Sequence, residues 1–267
     1  MLLFEPPQFI NLLSGQTRPA RFAVGSVSWV FRYPTGAAQQ LRLASEFVGY
    51  RIASWLDVPV PAFCLARSAR AFQPPGSDMR IPAGLGTATR WIEAARCPDL
   101  EHEPLEPFWE EERYLIATAA ARVADTWMMN YDRRKAGNVV VVGSGVAPEV
   151  YFLDFDQAFL AKEPASPGRD RPHWISADFR REMLDDCELL SGFNGSGKVK
   201  SQAAQRHEHF DASVHRLRSL AAADVERAVR DIPAEWGISD SERRLWVDRL
   251  LARREIVLKV VEACGTT

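Results

Sequence analysis

Two short runs of β-branched and aromatic residues, Val139–Val142 and Val150–Leu153, lie in a half of the chain whose composition otherwise favours helices. A glycine-containing turn separates them, and this pattern predicts an antiparallel hairpin. In such a hairpin the first strand begins beside the point where the second strand ends. We therefore expect Asn138 and Asp154 to be neighbours, although they are sixteen positions apart in the sequence. A strand pair set among helices restricts the possible folds of this chain more than any other feature.

The first 95 residues predict a separate, strand-rich unit. Residues 20–33 alternate around a Gly25-Ser26 turn as a hairpin does, and apolar residues near 38–56 recur at helical spacing. The segments VPVPAFCLA and GLGTATRWIEA predict further strands. Beyond them the composition becomes helical, and an S-x-x-E capping box at Ser239 opens the last helix. The prediction is an α+β fold with a small β-rich lobe, residues 1–95, and a larger helical lobe, residues 96–267.

Composition and motifs exclude several classes of protein. The chain has 267 residues, of which 46% are hydrophobic and 25% charged, as in ordinary globular proteins. Its four cysteines form no CxxC pair, which argues against a disulfide framework and a zinc site. No apolar run is long enough for a membrane span, and Glu5 with two prolines interrupts the apolar N-terminus. We expect a soluble, cytoplasmic protein without a signal peptide.

The charge is small overall but unevenly distributed. A net charge of -2 indicates no general affinity for nucleic acid or anionic membranes. Residues 1–95 contain nine arginines and five acidic residues, whereas the remainder has more acidic than basic residues. A basic small half above an acidic large half suits an anionic ligand held between them, although uneven surface charge alone explains the pattern equally well.

Three polar residues around the predicted hairpin suggest chemistry. Asn138 and Asp154 would offer an amide oxygen and a carboxylate, which suit Mg²⁺ when substrate phosphates complete its coordination. Asp132, in the polar loop just upstream, would accept a hydroxyl proton and orient the attacking oxygen. Phosphoryl transfer needs little more than positioning and charge neutralisation. Each residue alone is better explained as part of a turn, a cap or a solvated loop, but the three together favour a catalytic site.

Three segments occur in an order that carries a family resemblance. NYDR at 130–133 precedes Asn138 and the hairpin, and LDFDQAF follows at 153–159. Upstream lies SEFVGYRIASWLDVPVP, and downstream lies IPAEWGISDSERRLWVDRLLARRE. In these segments the sequence resembles the HipA-like kinase family, within the wider protein-kinase-like group, over most of its length. The resemblance implies a two-lobed protein-kinase-like fold and an ATP- and Mg²⁺-dependent kinase.

Carried onto this sequence, the resemblance assigns roles to individual residues. Asp132 would be the catalytic base, and Asn138 and Asp154 would bind Mg²⁺. Glu46 would be the helix glutamate that steadies the phosphate-binding cation, and Gly15 would lie in the loop over the nucleotide phosphates. The acceptor would be a Ser or Thr of a protein or the hydroxyl of a small molecule; the sequence does not identify it.

The sequence departs from the family pattern in two places. Asn138 follows Asp132 by six residues, where kinases usually have five. The strand lysine that binds the nucleotide phosphates is missing, because no lysine precedes Lys135. Arg32 occupies the corresponding place; arginine keeps the charge, but its planar fork is bulkier and differently directed.

These departures keep two other functions open. The first is a pseudokinase, a nucleotide-binding or regulatory interaction module that keeps the fold with weakened chemistry. The second is metal-dependent hydrolysis by Asp154 and Asp156, which is less favoured because no other candidate ligands lie nearby in the sequence.

Two further motifs are better explained without function. GFNGSGK at 192–198 matches G-x-x-x-x-G-K, but Val199 stands where a Walker loop needs Ser or Thr, and a helix-like segment precedes it. A flexible loop is the favoured interpretation. His207, His209 and His215 cluster loosely with Asp211, but no further ligand completes a metal set, which favours a solvated helix face.

Overall fold

The structure is a computed structural model, and it describes most of the chain apart from several short segments and one long one. The described residues are 1–5, 8–13, 18–93, 95–98, 107–130, 137–143, 147–156, 158 and 207–264. Two of the predicted site residues, Gly15 and Asp132, lie outside these ranges, and so does the 192–198 segment.

The small lobe is built on a six-stranded sheet. Its strands are β1 (Leu2–Phe4), β2 (Phe9–Leu12), β3 (Ala20–Val24), β4 (Val27–Arg32), β5 (Phe63–Ser68) and β6 (Gly84–Arg90). They lie in the order β1-β5-β6-β4-β3-β2, and only the β1–β5 pair is parallel. The predicted hairpin over 20–33 is confirmed as β3 and β4. The sequence analysis missed β1 and β2, since runs of three and four residues are too short for alternation to be read.

The helix predicted near 38–56 is confirmed as α1, Ala37–Trp55. The sequence predicted a single apolar stripe, but every residue from Leu43 to Tyr50 is buried. The reason is that α1 packs against β6 on one side and against the helical lobe on the other. Polar residues of α1 are buried along with the apolar ones, and Glu46 is one of them.

The second half contains a small sheet and four helices within its described residues. The sheet has β7 (Ala95–Arg96), β8 (Val139–Val142) and β9 (Glu149–Phe152) in the order β7-β8-β9. The predicted hairpin is therefore confirmed. The helices are α2 (Glu112–Met128), α3 (Asp211–Ser219), α4 (Ala222–Arg230) and α5 (Asp240–Cys264). Because β7 pairs with β8, it belongs to the second sheet; the exact lobe boundary near residue 95 stays a prediction.

The start of α5 is capped as the sequence predicted. The Ser239 amide donates to Glu242 Oε2 at 2.8 Å, and the Glu242 amide donates to Ser239 Oγ at 3.3 Å. Along α5, Trp246, Leu250 and Val257 are buried, whereas Val247, Leu251 and Leu258 are half-buried.

One hydrophobic cluster lies within the small lobe, and a second, larger one spans α1 and the helical lobe. An aromatic cluster with Phe4, Phe22 and Phe31 packs on the six-stranded sheet. The larger cluster joins α1 to α2, the β8–β9 hairpin and the C-terminal helices. The fold is therefore α+β, with a curled sheet lobe and a helical lobe, as predicted. None of the helices in the described ranges is long and apolar enough to span a bilayer.

Candidate functional site

The β8–β9 hairpin brings the backbones of Asn138 and Asp154 together at one end of the three-stranded sheet, as the sequence predicted. Val139 pairs with Phe152, and the Leu153 amide donates to the Asn138 carbonyl oxygen at 2.8 Å. Asn138 is buried, whereas the Asp154 side chain is 23% exposed. A shared Mg²⁺ between the two side chains remains a prediction.

Asp154 directly follows the hairpin in an unusual backbone conformation. Its φ is +58°, in the left-handed region, which costs a non-glycine residue about 1 kcal/mol or more. Aspartate tolerates this region better than most residues. Its Oδ1 accepts a long hydrogen bond from the Asp156 amide at 3.4 Å. Such strain is often found where a side chain must be presented in one direction.

That direction is towards Arg32, the last residue of β4. One guanidinium nitrogen, Nη1, lies 2.7 Å from Glu46 Oε1 and 2.9 Å from Asp154 Oδ1. Arg32 therefore joins the six-stranded sheet, α1 and the end of the β8–β9 hairpin in a single ionic bridge. The expected ion pair with Glu46 is present, whereas the sequence analysis did not anticipate the second pair with Asp154. The Arg32 side chain remains 18% exposed.

Thr87 is a fourth member of this site, and the sequence analysis missed it. Thr87 is directly opposite Arg32 in the β4–β6 ladder, so both side chains leave the same face of the sheet. Its hydroxyl donates to Glu46 Oε2 at 2.6 Å, and both residues are about 1% exposed. Alternation along β6 predicts which residues share one face of the sheet. Only the pairing register with β4 shows which of them lies opposite Arg32.

Burial and charge set the ionisation of the three ionic groups. Burial raises the pKa of Glu46 to about 7, against the opposing effects of Arg32 and the Thr87 hydrogen bond. Burial also acts to raise the pKa of Asp154, but the Arg32 charge and hydrogen bond outweigh it, so that pKa lies below its ordinary value. Burial acts to lower the pKa of Arg32, yet Asp154 and Glu46 outweigh it and raise that pKa well above the ordinary value. Arg32 and Asp154 are thus charged at neutral pH, while Glu46 is close to its midpoint.

The residues after Asp154 are fixed by α1. Phe155 is fully buried and its ring lies edge-on to Tyr50, with centroids 5.0 Å apart. A Cβ on Gly49 would lie 2.4 Å from the Phe155 Cβ, so this approach requires glycine. Asp156 Oδ2 lies 3.7 Å from Arg42 Nη1, a further α1 side chain. The position of Asp154 therefore depends on the position of α1.

The loop predicted to carry the base begins from a fixed anchor. Asn130 is fully buried, and its side-chain amide donates to Asp125 Oδ1 at 2.9 Å. Its backbone amide also donates to the Asp125 carbonyl at 2.8 Å, after Met129 ends α2 in the left-handed conformation. Asp132 lies two residues further on, outside the described residues, so its role stays a prediction. The same holds for Gly15.

The donor chemistry fits Mg²⁺ in part. Asp154 and Asn138 offer hard oxygen ligands, and Mg²⁺ is commonly held by one or two carboxylates with substrate phosphates and water. Among the described residues, no group of three or more His, Cys, Asp or Glu side chains is placed to hold a metal ion. A magnesium site formed by Asn138 and Asp154, and metal-dependent hydrolysis by Asp154 and Asp156, both stay predictions.

Together, a curled sheet, a helix whose glutamate pairs with a strand cation, and a helical lobe with an aspartate after its hairpin define a two-lobed protein-kinase-like fold. The crystal structure of the Helicobacter pylori proinflammatory kinase CtkA is similar to this chain. The TM-score is 0.57 at 11% sequence identity, and the match covers 98% of this chain and 95% of that one. Similarity at this identity shows the fold alone. No family model and no curated protein matches the sequence.

Proposed function

We propose that this protein is an ATP- and Mg²⁺-dependent phosphotransferase that phosphorylates a protein Ser or Thr or a small-molecule hydroxyl. The observation that carries this proposal is the bridge from Arg32 to Glu46 and Asp154. The bridge brings a permanent cation and an ionised carboxylate together where the two lobes meet, and a kinase-like fold binds nucleotide phosphates and metal at that place.

Each residue has a distinct role in this proposal. Arg32 binds the nucleotide phosphates, and Glu46 orients its guanidinium. Asp154 and Asn138 hold Mg²⁺, which neutralises charge on the phosphates when it is bound. Asp132 accepts the proton of the acceptor hydroxyl as that oxygen attacks the γ-phosphorus and ADP leaves. Gly15 belongs to the loop over the phosphates.

The HipA-like assignment belongs to the same proposal. Its support is the order of NYDR, Asn138 and LDFDQAF, and the position of Glu46 on the helix that faces Arg32. The similarity in fold supports a kinase of some kind and does not distinguish this family from others.

One observation favours a second function, a pseudokinase that binds nucleotide as a regulatory interaction module. Asp154, the proposed metal ligand, is already paired with Arg32 at 2.9 Å. A guanidinium holds a carboxylate more specifically than an ammonium does, because its donors are fixed in a plane. If this pair persists when nucleotide binds, Mg²⁺ loses its principal ligand and transfer fails. The partner of such a module would be an unidentified protein.

The deciding experiment measures ATP binding and phosphate transfer on the same protein. Labelled ATP with and without Mg²⁺ would be incubated with the protein to detect autophosphorylation, and calorimetry would report ATP affinity. Mg²⁺-dependent transfer that falls by about 10²–10⁴-fold in Asp132→Asn, with ATP binding preserved, supports the kinase. ATP binding without transfer supports the pseudokinase. Absence of both overturns both proposals.

A further inference from the structure

A segment of the helical lobe lies against α1 and the start of β6 in the small lobe. It comprises residues 231–237, between α4 and α5, and we refer to it as the latch. At its centre Trp236 is 1% exposed, and its indole N–H donates to the Leu85 carbonyl of β6 at 2.9 Å. Gly237 then turns the chain into the approach to α5 with a φ of +67°.

The geometry of the sheet explains why β6 can accept this bond. Strand β4 ends at Arg32, which pairs with Thr87, so Leu85 extends beyond the β4 ladder. Its cross-strand partner is Arg67 of β5, on the other side. A buried carbonyl without a donor is costly, and the Trp236 indole supplies one from the other lobe. The latch thus supplies a hydrogen-bond donor to β6 at Leu85, two residues before Thr87.

The latch also contacts α1 at three positions along its length. The Trp236 ring is edge-on to Phe47, with centroids 6.0 Å apart, and Phe47 directly follows Glu46. One turn further on, Arg51 lies over the Phe47 ring at 4.6 Å and pairs with Asp231 at 2.8 Å. Near the start of the helix, the Gln40 side-chain amide donates to the Glu235 carbonyl at 3.4 Å.

These contacts fix the two elements that carry Thr87 and Glu46. We propose that the latch holds α1 in the position that pairs Glu46 with Arg32, and that Trp236 is its central positioning residue. The protein's own helical lobe therefore places α1, before any nucleotide or partner binds. The effect on α1 is independent of the proposed phosphotransferase function, whereas the effect on ATP binding rests on that function.

The chain offers a matched control for Trp236. The Trp127 indole donates to the Leu250 carbonyl at 2.8 Å and is fully buried, but both residues lie within the helical lobe. Trp236→Phe and Trp127→Phe each remove one buried indole–carbonyl hydrogen bond and keep an aromatic ring. They differ in whether the lost bond crosses between the lobes.

The first measurement is amide hydrogen exchange of the nucleotide-free protein. In Trp236→Phe, we expect the amides of α1 from Leu43 to Ala53 to exchange about tenfold faster, the effect of one lost hydrogen bond on local opening. In Trp127→Phe, thermal stability should fall by a similar amount without selective change in α1. Equal exchange of α1 in both variants overturns the proposal.

The second measurement tests whether Trp236 acts through Glu46. Trp236→Phe should raise the ATP dissociation constant several-fold, and it should add nothing in a Glu46→Gln background, because coupled residues are not additive. An undiminished increase in that background overturns the route through Glu46. Faster exchange of α1 in a protein that binds no ATP in any form supports the latch and removes the phosphotransferase proposal.

A milder variant covers the case in which Trp236→Phe does not fold. Arg51→Ala removes the pair with Asp231 and the cover over Phe47 from the partly exposed edge of the latch. We expect a two- to threefold faster exchange confined to the C-terminal half of α1. If amide exchange in the C-terminal half of α1 is unchanged although the Arg51–Asp231 pair is lost, the result counts against the latch.

Discussion

Two of the contacts between the lobes differ in chemistry. The front contact, from Arg32 to Glu46 and Asp154, is ionic, and both Arg32 and Asp154 are partly exposed. The back contact, from Trp236 to Leu85 and Phe47, is an uncharged, fully buried hydrogen bond with aromatic packing. An ionic bridge responds to pH, salt and charged ligands, whereas a buried indole contact does not. The front contact is therefore suited to change its ionic partners. The back contact is suited to hold the lobes together during that change.

The largest effect is expected from removing the carboxylate of the front contact. Asp154→Asn should reduce Mg²⁺-dependent phosphate transfer by more than about 100-fold, because it removes the proposed metal ligand. The fold should remain intact, because the back contact does not involve this residue. Circular dichroism and thermal unfolding would check the fold, and the labelled-ATP assay would check transfer. Full transfer activity in the variant would remove Asp154 from the site.

The cation of the front contact gives the next largest effect. Arg32→Ala should weaken ATP binding by roughly 1.5–3 kcal/mol, the range for a lost hydrogen bond to a charged group. Arg32→Lys should keep or raise the rate of phosphate transfer. Lysine is the residue that kinases use at this place, and it lacks the planar guanidinium that pairs with Asp154. Calorimetry with ATP would check the first, and the transfer assay the second. Normal ATP binding by Arg32→Ala would show that the phosphates are bound elsewhere, and it would favour the pseudokinase interpretation.

The pH dependence of stability distinguishes the two contacts directly. The folded protein raises the pKa of Glu46 from 4.5 to about 7. A raised carboxyl pKa contributes stability that is fully present below about pH 4.5 and is lost as pH rises through 7. Asp154 has the opposite sign, since its pKa is lowered from 3.8, so its contribution is lost as pH falls below that value. The two windows do not overlap.

Glu46→Gln should therefore flatten the stability profile between pH 4.5 and 7, by on the order of 2 kcal/mol relative to the unmodified protein. Urea unfolding at several pH values in this window would measure the difference. Trp236→Phe, at the back contact, should lower stability by the same amount at every pH. A Glu46→Gln profile parallel to that of the unmodified protein would show that Glu46 does not titrate in this range.

The sequence predicted those parts of the fold that depend on local pattern. Helical spacing identified α1, and alternation around glycine turns identified the β3–β4 and β8–β9 hairpins. The expected pair of Arg32 with Glu46 came from family resemblance. What the sequence could not supply depends on register and on contact between lobes. The bond from Thr87 to Glu46 requires the β4–β6 register, and the bond from Trp236 to Leu85 joins residues 151 positions apart.

The smallest expected effect concerns Thr87, whose hydroxyl links the sheet to the front contact. Thr87→Val keeps the shape of the side chain and removes the bond to Glu46 Oε2, so one buried carboxylate oxygen loses its donor. ATP binding should weaken by about 1 kcal/mol, the usual net value of one hydrogen bond, because Glu46 then orients Arg32 less firmly.

Thr87→Ser keeps the hydroxyl and should retain most of the affinity for ATP. Thr118→Val is a matched control, since the Thr118 hydroxyl is also buried and donates to the Tyr114 carbonyl within α2, away from Glu46. It should change stability without changing ATP affinity. If Thr87→Val and Thr118→Val affect ATP binding equally, Thr87 supports only the packing of the sheet. If only Thr87→Val weakens binding and serine restores it, the front contact extends from the proposed metal ligand Asp154 to the sheet through four side chains.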